Sequence, residues 1–577
     1  MCGIVGYTGP RNAARVLIEG LKQLEYRGYD SFGLATLGNG IEWYKRAGRI
    51  GEAEKDAAGI GGKTGIGHTR WATHGIPDDC NAHPHLDCTG RIAVVHNGII
   101  ENYTELRRSL KARGHILRSE TDTEVIAHLI EEHSGSNLLD AVRDTLPELT
   151  GSYAILAIRS GEEGIVAARK NSPLVIGVAD GEYLAASDST PLIDYTSRVI
   201  YLEDGDLAHL SASGVRIFHE GAEVVRPVER LGWSPEEARR GGFPHFMLKE
   251  IYEQPGAFSD TVRTVCDLPE ILLGCRGLTV VACGSSYHAG LIFKYIAEEA
   301  CQIPVRVDLA SEYKYFMAPT RDPVIGITQS GETADTNAAL QSAKVHNIPT
   351  LAITNVLGSS VTRIADETVY MRAGPEMSVA ATKSFIAELA VLIRLASLLS
   401  DRSLDITLDQ GHRAIEEALL TDMGEAVQMC SSASHIFYVG RGPFYPVALE
   451  GALKMKEISY IHAEGYAAGE IKHGPFALLS RETPVIAVCT PGSTHDVMIA
   501  NIKEMEARST PVIALGSGAD RELDAIADIL IPLPDAAPVL QPVAATVILQ
   551  LLAYRTADAL GRDIDKPRNL AKSVTVE

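Results

Sequence analysis

The feature that most constrains the fold is a repeat inside the second half of the chain. Val280-Val281-Ala282-Cys283-Gly284 is matched by Phe437-Tyr438-Val439-Gly440, apolar residues running into a glycine. Asp322-Pro323-Val324-Ile325-Gly326-Ile327 is matched by Thr483-Pro484-Val485-Ile486-Ala487-Val488. Ile348-Pro349-Thr350-Leu351-Ala352-Ile353 aligns on its proline with Thr510-Pro511-Val512-Ile513-Ala514-Leu515, and Ile364-Ala365-Asp366 with Ile526-Ala527-Asp528. A period of about 160 residues predicts two independent domains, not a solenoid. Short apolar runs alternate with helices predicted over residues 336–345 and 496–508, so each copy reads as a parallel αβα sandwich. Ligands of such sheets sit beyond the carboxyl ends of the strands.

The copies have diverged at that position. Copy one continues Thr328-Gln329-Ser330-Gly331-Glu332-Thr333-Ala334-Asp335-Thr336, a run of hydroxyls opening a helix, which suits a phosphate. The same hydroxyls also suit N-capping. Copy two reads Cys489-Thr490-Pro491-Gly492-Ser493-Thr494, where the proline removes a donor. Copy two instead carries Glu450, Lys454 and Glu457 on one predicted helical face, followed by a loop with His473. Such stripes are usually solvated ion pairs. Here a carboxylate, an amine and a histidine near a phosphate pocket would also suit proton transfer between adjacent sugar carbons.

The amino-terminal part has its own chemistry. Removal of Met1 would leave Cys2 with a free α-amine able to act as base for its own thiol. The hexapeptide Met1-Cys2-Gly3-Ile4-Val5-Gly6 alone equally suits a small buried cysteine. Residues 91–95 and 153–158 read as strands, 123–132 and 138–146 as helices, and strands dominate to residue 217. This predicts an α+β domain with stacked sheets or a sheet–helix sandwich. Polar clusters lie at His68-Thr69-Arg70-Trp71-Ala72-Thr73-His74, Asn81-Ala82-His83-Pro84-His85, His96-Asn97-Gly98 and Glu120-Thr121-Asp122. Singly each suits a turn or cap. Together they supply an amide-hydrolysing cysteine with oxyanion donors (Asn97 and the Gly98 amide), a carboxylate partner (Arg70) and an ammonium partner (Asp122).

A net charge of −21 argues against nucleic acid or an anionic membrane as partner. The apolar windows 385–400 and 543–554 are too short to span a bilayer, and no secretory leader is visible. Nine cysteines without a C-x-x-C pair predict reduced thiols in the cytoplasm. Eighteen histidines without H-E-x-x-H spacing predict no metal, and nothing calls for a cofactor. Pro227, Pro235 and Gly241-Gly242 mark a linker.

Cys2-Gly3-Ile4-Val5-Gly6, Arg27-Gly28-Tyr29-Asp30-Ser31, Arg70 through His74, Asn97-Gly98 and Asp122 resemble, in order, the motifs of class II glutamine amidotransferases. The resemblance implies an N-terminal-nucleophile αββα sandwich. It implies Cys2 as nucleophile, Asn97 and Gly98 as oxyanion donors, and Arg70, Thr73, His74, His83 and Asp122 around L-glutamine, with Trp71 gating an ammonia path. Phe32 stands where that family usually has a small residue.

The second half resembles paired sugar-isomerase (SIS) domains, two α/β parallel-sheet sandwiches. This implies sugar-phosphate contacts from Cys283, Gly284, Ser285, Ser286, Thr328, Gln329, Ser330 and Thr333. It gives Glu457 the C1–C2 proton transfer with Lys454 assisting, His473 the ring opening, and Lys572 a contact to the C2 carbonyl, a Schiff base being one form of it. In such proteins the histidine comes from a neighbouring subunit, so a homodimer is expected. Ala381 stands where a serine commonly touches the sugar. The joint resemblance implies L-glutamine and fructose 6-phosphate as substrates. The expected layout is an amidotransferase domain at 1–227, a linker at 228–255, sugar domains at 256–410 and 411–565, and a tail at 566–577.

Overall fold

The computed structural model describes residues 2–575, except 26, 53, 58, 72–73, 136, 232–238, 317–320 and 401–407. The chain divides into two compact units, Met1–Ala238 with Ser573–Glu577, and Arg239–Lys572.

In the first unit, two antiparallel sheets of eight and seven strands stack face to face. Gly3–Thr8 lies inside the eight-stranded sheet, between Glu182–Ala186 and Thr64–Arg70. Both faces of that strand are buried, as its sequence of small and β-branched residues allows. Ile4, Ala35 and Ile66 from this sheet pack against Val95, Leu156 and Ala167 from the other. Helix Ala13–Leu24, capped by Asn12 accepting from the Arg15 amide, covers the outer face of the first sheet. Helices Tyr103–Ala112, Glu124–Glu132 and Leu138–Thr145 pack on the second through Leu110, Val125, Leu129 and Val142. The layers run helix, sheet, sheet, helix. Phe32 is buried in strand Ser31–Leu37, against the Tyr44 ring.

In the second unit the repeat is visible as two five-stranded parallel sheets of one topology. Copy one pairs Val305–Leu309, Leu278–Ala282, Val324–Ile327, Thr350–Thr354 and Glu367–Tyr370 in that spatial order. Copy two pairs His462–Ala467, His435–Gly440, Val485–Val488, Val512–Ser517 and Ile529–Leu533. Both orders are 2-1-3-4-5, which places a switch point between the first and third strands of each sheet.

The two sandwiches do not have separate cores. Val280 and Ile325 of copy one share a continuous apolar cluster with Tyr438 and Ile486 of copy two. The cause lies in two helices, Lys383–Leu399 and Gln541–Ala559, which are apolar nearly all round and must be covered on every side. Helix Phe444–Ser459 crosses the second of these at Gly451, where a Cβ would lie 2.6 Å from Leu549 Cδ1. Gly451 therefore sets the depth of the helix that carries Glu450, Lys454 and Glu457.

The window 543–554 proves to be part of a longer helical stretch, Pro538–Ala559, which is long and apolar enough to cross a membrane. Its apolar window is 83% buried inside the protein, so it is a core element. Leu549→Ala should cost about 2–5 kcal/mol in a denaturant titration, the usual loss for a fully buried leucine.

The junction is shorter than the 228–255 linker. Glu229–Arg230 pairs with Arg198–Tyr201 in the first unit's sheet. Phe246–Tyr252 is a helix of the second unit, its Phe246 and Met247 amides held by Asp565. Proline and glycine mark where the chain changes unit, but the apolar spacing of residues 246–251 restores a helix at once.

Candidate active sites

In the first unit the chain enters the inner strand directly after Cys2, so the pairing of Gly3–Thr8 places the thiol. Cys2 Sγ accepts from the Trp71 amide at 3.3 Å. Its carbonyl accepts from Asn97 Nδ2 at 2.9 Å and Arg27 Nε at 3.3 Å. Arg27 is buried beside Asp188, and Ser31 lies in register with Arg70, which gives the motif from Arg27 to Ser31 a structural purpose. Gly98 has φ +129°, and a Cβ there would lie 2.1 Å from the Ser152 carbonyl oxygen, so only glycine fits beside Asn97.

Around the thiol, Arg70 donates to the carbonyls of His74, Gly75 and Ile76, shaping the turn that follows Trp71. Asp122 is buried and accepts from the Ile100 amide at 2.9 Å. The His74 ring stands edge-on to Tyr103, and the Trp71 ring edge-on to Tyr29. Thr73 lies outside the described residues. His83 is stacked on His68 at 3.9 Å and accepts from the His96 amide, so its described contacts are those of a core histidine.

Burial pushes the Cys2 thiol up, while the amino terminus, the Trp71 amide and Arg70 pull it back. Burial likewise holds His68, His83, His85 and His96 below the ordinary histidine range. They are neutral at pH 7 and do not supply an imidazolium to the thiol.

In the second unit the loops after strands Leu278–Ala282 and Val324–Ile327 flank the switch point of copy one, where a ligand is expected. Cys283 caps helix Gly284–Cys301 with extended backbone, leaving the helix amides open. Across from it, Thr328 Oγ1 bonds Thr333 Oγ1 at 2.8 Å and accepts from the Gly331 amide, while Ser330 Oγ accepts from the Glu332 amide. Gln329 is tied through its carbonyl to the Asn355 amide. Thr333 caps helix Ala334–Val345 without a side-chain bond to it. Its hydroxyl serves the loop instead.

The two copies meet in buried ionic chemistry. Glu450 is fully buried and accepts from Ser285 Oγ at 2.9 Å and His288 Nδ1 at 2.8 Å. Lys454, 1% exposed, lies 2.6 Å from Glu457 Oε2 and 3.5 Å from Glu450 Oε1. Burial would drive the proton off Lys454, but the Glu457 and Glu450 carboxylates outweigh it and hold the amine above its ordinary range. Lys572 pairs with buried Glu376, which Ser384 also donates to. These contacts outweigh burial and hold the Glu376 carboxyl at about 2.

Three of these groups escape a reading of the sequence: Glu376, His288 and Glu388. Only Glu388 left a signal, as the lone acid in an apolar run. Ser286 Oγ lies 2.7 Å from Glu388 Oε1, and burial pushes this carboxyl from 4.5 up to about 8. A carboxyl raised on folding gives stability that is complete below 4.5 and is lost as pH rises through about 8. The thermal midpoint should therefore fall between pH 5 and 8, and Glu388→Gln should flatten that slope. An unchanged slope assigns it to other groups.

His473 ends a short 3-10 turn, Glu470–His473, and is exposed. Ala381 lies in the loop before helix Lys383–Leu399, whose neighbours Thr382 and Ser384 are held by Glu376.

Comparison with known proteins adds to this geometry. The SIS domain family matches residues 271–398 and 429–557, and the glutamine amidotransferase domain family matches residues 68–194. A protein of Methanothermobacter thermautotrophicus is 48% identical over the full length of both chains. Others from Pyrococcus horikoshii and Thermus thermophilus are 46% and 45% identical, again over 100% of both. All three are named glutamine–fructose-6-phosphate aminotransferase (isomerizing). Among solved structures, the C-terminal domain of glucosamine-fructose-6-phosphate aminotransferase from Francisella tularensis superposes with a TM-score of 0.53 at 35% identity. It is matched over its whole length and over 57% of this chain.

Proposed function

The chain belongs to the glutamine–fructose-6-phosphate aminotransferase (isomerizing) family, and on that premise we propose how its residues divide the reaction. The enzyme moves the amide nitrogen of L-glutamine onto fructose 6-phosphate, giving glucosamine 6-phosphate and L-glutamate. Once Met1 is removed, the α-amine takes the Cys2 proton, and the thiolate attacks the amide carbon. The Asn97 side chain and Gly98 amide receive the oxyanion. Ammonia leaves, and water hydrolyses the thioester to glutamate. Arg70 holds the substrate carboxylate and Asp122 its ammonium group, with Thr73 and His74 beside them. Ammonia protonated in bulk water would be lost, so it must travel shielded; Trp71, bonded to the thiol through its main chain, is the gate we assign.

In the second unit the sugar phosphate binds at the hydroxyl loop Thr328, Gln329, Ser330 and Thr333, opposite Cys283, Gly284, Ser285 and Ser286. His473 opens the ring, Lys572 engages the C2 carbonyl, and ammonia replaces its oxygen. Glu457 then takes a proton from C1 and returns it to C2, with Lys454 fixing its charge. The observation that carries this assignment is Lys454 buried between Glu450 and Glu457, a charge arrangement too costly to keep for packing alone. The decisive assay compares product formed from glutamine with fructose 6-phosphate and with other ketose phosphates. Turnover confined to another sugar would overturn the reading.

We place the enzyme in the cytoplasm on its free thiols, and the exposure of His473 supports a homodimer in which each chain lends this histidine to its neighbour. Mixing His473→Ala with Glu457→Gln chains should then restore about a quarter of full activity, because half the dimers are mixed and each has one intact site. A histidine working within its own chain would give no recovery.

A further inference from the structure

We propose that Cys88, His115, His128 and Glu131 form a structural zinc site in the first unit. Cys88 lies in the turn between strands His85–Leu86 and Ile92–Ile100, and His115 in the turn after helix Tyr103–Ala112. His128 and Glu131 stand three apart on one face of helix Glu124–Glu132. No two of the three segments are neighbours by short motif spacing. The ligands come together only in the fold, which is why the expectation of no metal missed them.

Five of the six separations among the four donor atoms match the edges of a tetrahedral metal site. Cys88 Sγ lies 3.5 Å from His115 Nδ1 and 3.5 Å from His128 Nδ1. The two Nδ1 atoms are 3.3 Å apart. Glu131 Oε2 is 3.1 Å from one and 3.3 Å from the other. All four atoms lie within 4.8 Å of one another. Zinc bonds of about 2.0–2.3 Å give a tetrahedron with edges of about 3.3–3.6 Å. Hydrogen bonding alone accounts for the cluster less well. A thiol and two imidazoles bring at most three protons to these atoms, each directed at one acceptor, while five contacts lie between 3.1 and 3.5 Å. One cation satisfies all of them.

Outer contacts prepare the ligands. His115 Nε2 lies 3.2 Å from Glu132 Oε1, which keeps its proton on that nitrogen and leaves Nδ1 free for a metal. Glu124 Oε1 stands 4.0 Å from the Nε2 of buried His128, with the same bias. The Cys88 amide donates to Glu131 Oε2 at 3.1 Å, presetting the carboxylate. A thiolate, a carboxylate and two neutral imidazoles balance a divalent charge, and sulfur with nitrogen ligands favours zinc over magnesium or calcium. Four protein ligands leave no open position, so the role is structural. Cys88 is exposed and lines a cavity of about 470 Å³, which gives the ion a way in. The helix tied down begins directly after Asp122 and Thr123, so the metal would brace the end of the glutamine site without touching it.

The test uses the full chain purified without chelator. Elemental analysis should find about one zinc per chain. Chelator should remove it and lower the thermal midpoint. Reloading with Co²⁺ should give strong visible bands of tetrahedral cobalt with a thiolate charge-transfer band in the near ultraviolet. Cys88→Ser, at an exposed position, should abolish the charge-transfer band, and Glu132→Gln should weaken zinc affinity about 10–100-fold. No zinc after incubation with the metal, together with no cobalt bands, overturns the proposal. So does zinc content unchanged in both Cys88→Ser and His115→Ala, which places the metal elsewhere.

Discussion

Cys2→Ala should abolish glucosamine 6-phosphate synthesis from glutamine and leave synthesis from ammonium salts in place. The first half follows from the chemistry of the thiol. Water alone attacks an amide far too slowly, and removing the covalent nucleophile of an acyl-transfer site costs on the order of 10⁴-fold or more in rate. The remaining Asn97 and Gly98 donors cannot recover it, because they stabilise an intermediate that no longer forms. The second half follows from the division of the chain. The groups proposed to serve the sugar, Glu450, Lys454, Glu457, Glu376 and Lys572, all belong to the second unit. Free ammonia reaching that site needs nothing from Cys2, and its rate should rise with pH as ammonium gives up its proton. Parallel assays of glucosamine 6-phosphate with the two nitrogen sources measure both halves. Retained glutamine-dependent synthesis removes Cys2 from its role, while loss of both activities shows that the substitution disturbs more than the nucleophile.

Some of this architecture is legible in one sequence and some is not, for physical reasons. Strands of a doubly covered parallel sheet are continuous apolar runs, so Val324–Ile327 and Val485–Val488 announce themselves and their repetition gives the topology. Loops at carboxyl ends need glycine and hydroxyls, which made the segment from Thr328 to Thr333 readable. Packing between the copies was not readable. Lys383–Leu399 and Gln541–Ala559 are buried on nearly every side by partners distant in the chain, and periodicity carries no information about a helix apolar all round. Partners of buried charges are hidden in the same way. Glu450 could be placed on a helical face with Lys454, but nothing local links it to Ser285 and His288, more than 160 residues earlier. His83, expected beside the glutamine, is stacked against His68 in the interior, a placement that its neighbours in the sequence do not announce.

Glu457→Gln should stop conversion of the sugar while glutamine hydrolysis at Cys2 continues. The substitution keeps shape and removes only the ability to take and return a proton, a loss of about 10²–10⁴-fold for a positioned acid–base group. It is also the safest change in the cluster. Glu457 has 19% of its side chain exposed, whereas Lys454 and Glu450 are buried. Removing Lys454 would leave the Glu450 carboxylate interred with only Ser285 and His288, and breaking a buried pair costs about 3–5 kcal/mol. Lys454→Met should therefore lose folding stability together with activity, and Glu457→Gln activity alone. Three readouts separate the cases: glucosamine 6-phosphate from ammonium salts, glutamate release from glutamine, and the thermal midpoint. Deuterium entering C2 of the product from heavy water should fall with synthesis if Glu457 moves the proton. Full deuterium incorporation at an undiminished rate in Glu457→Gln would assign the proton transfer to another group.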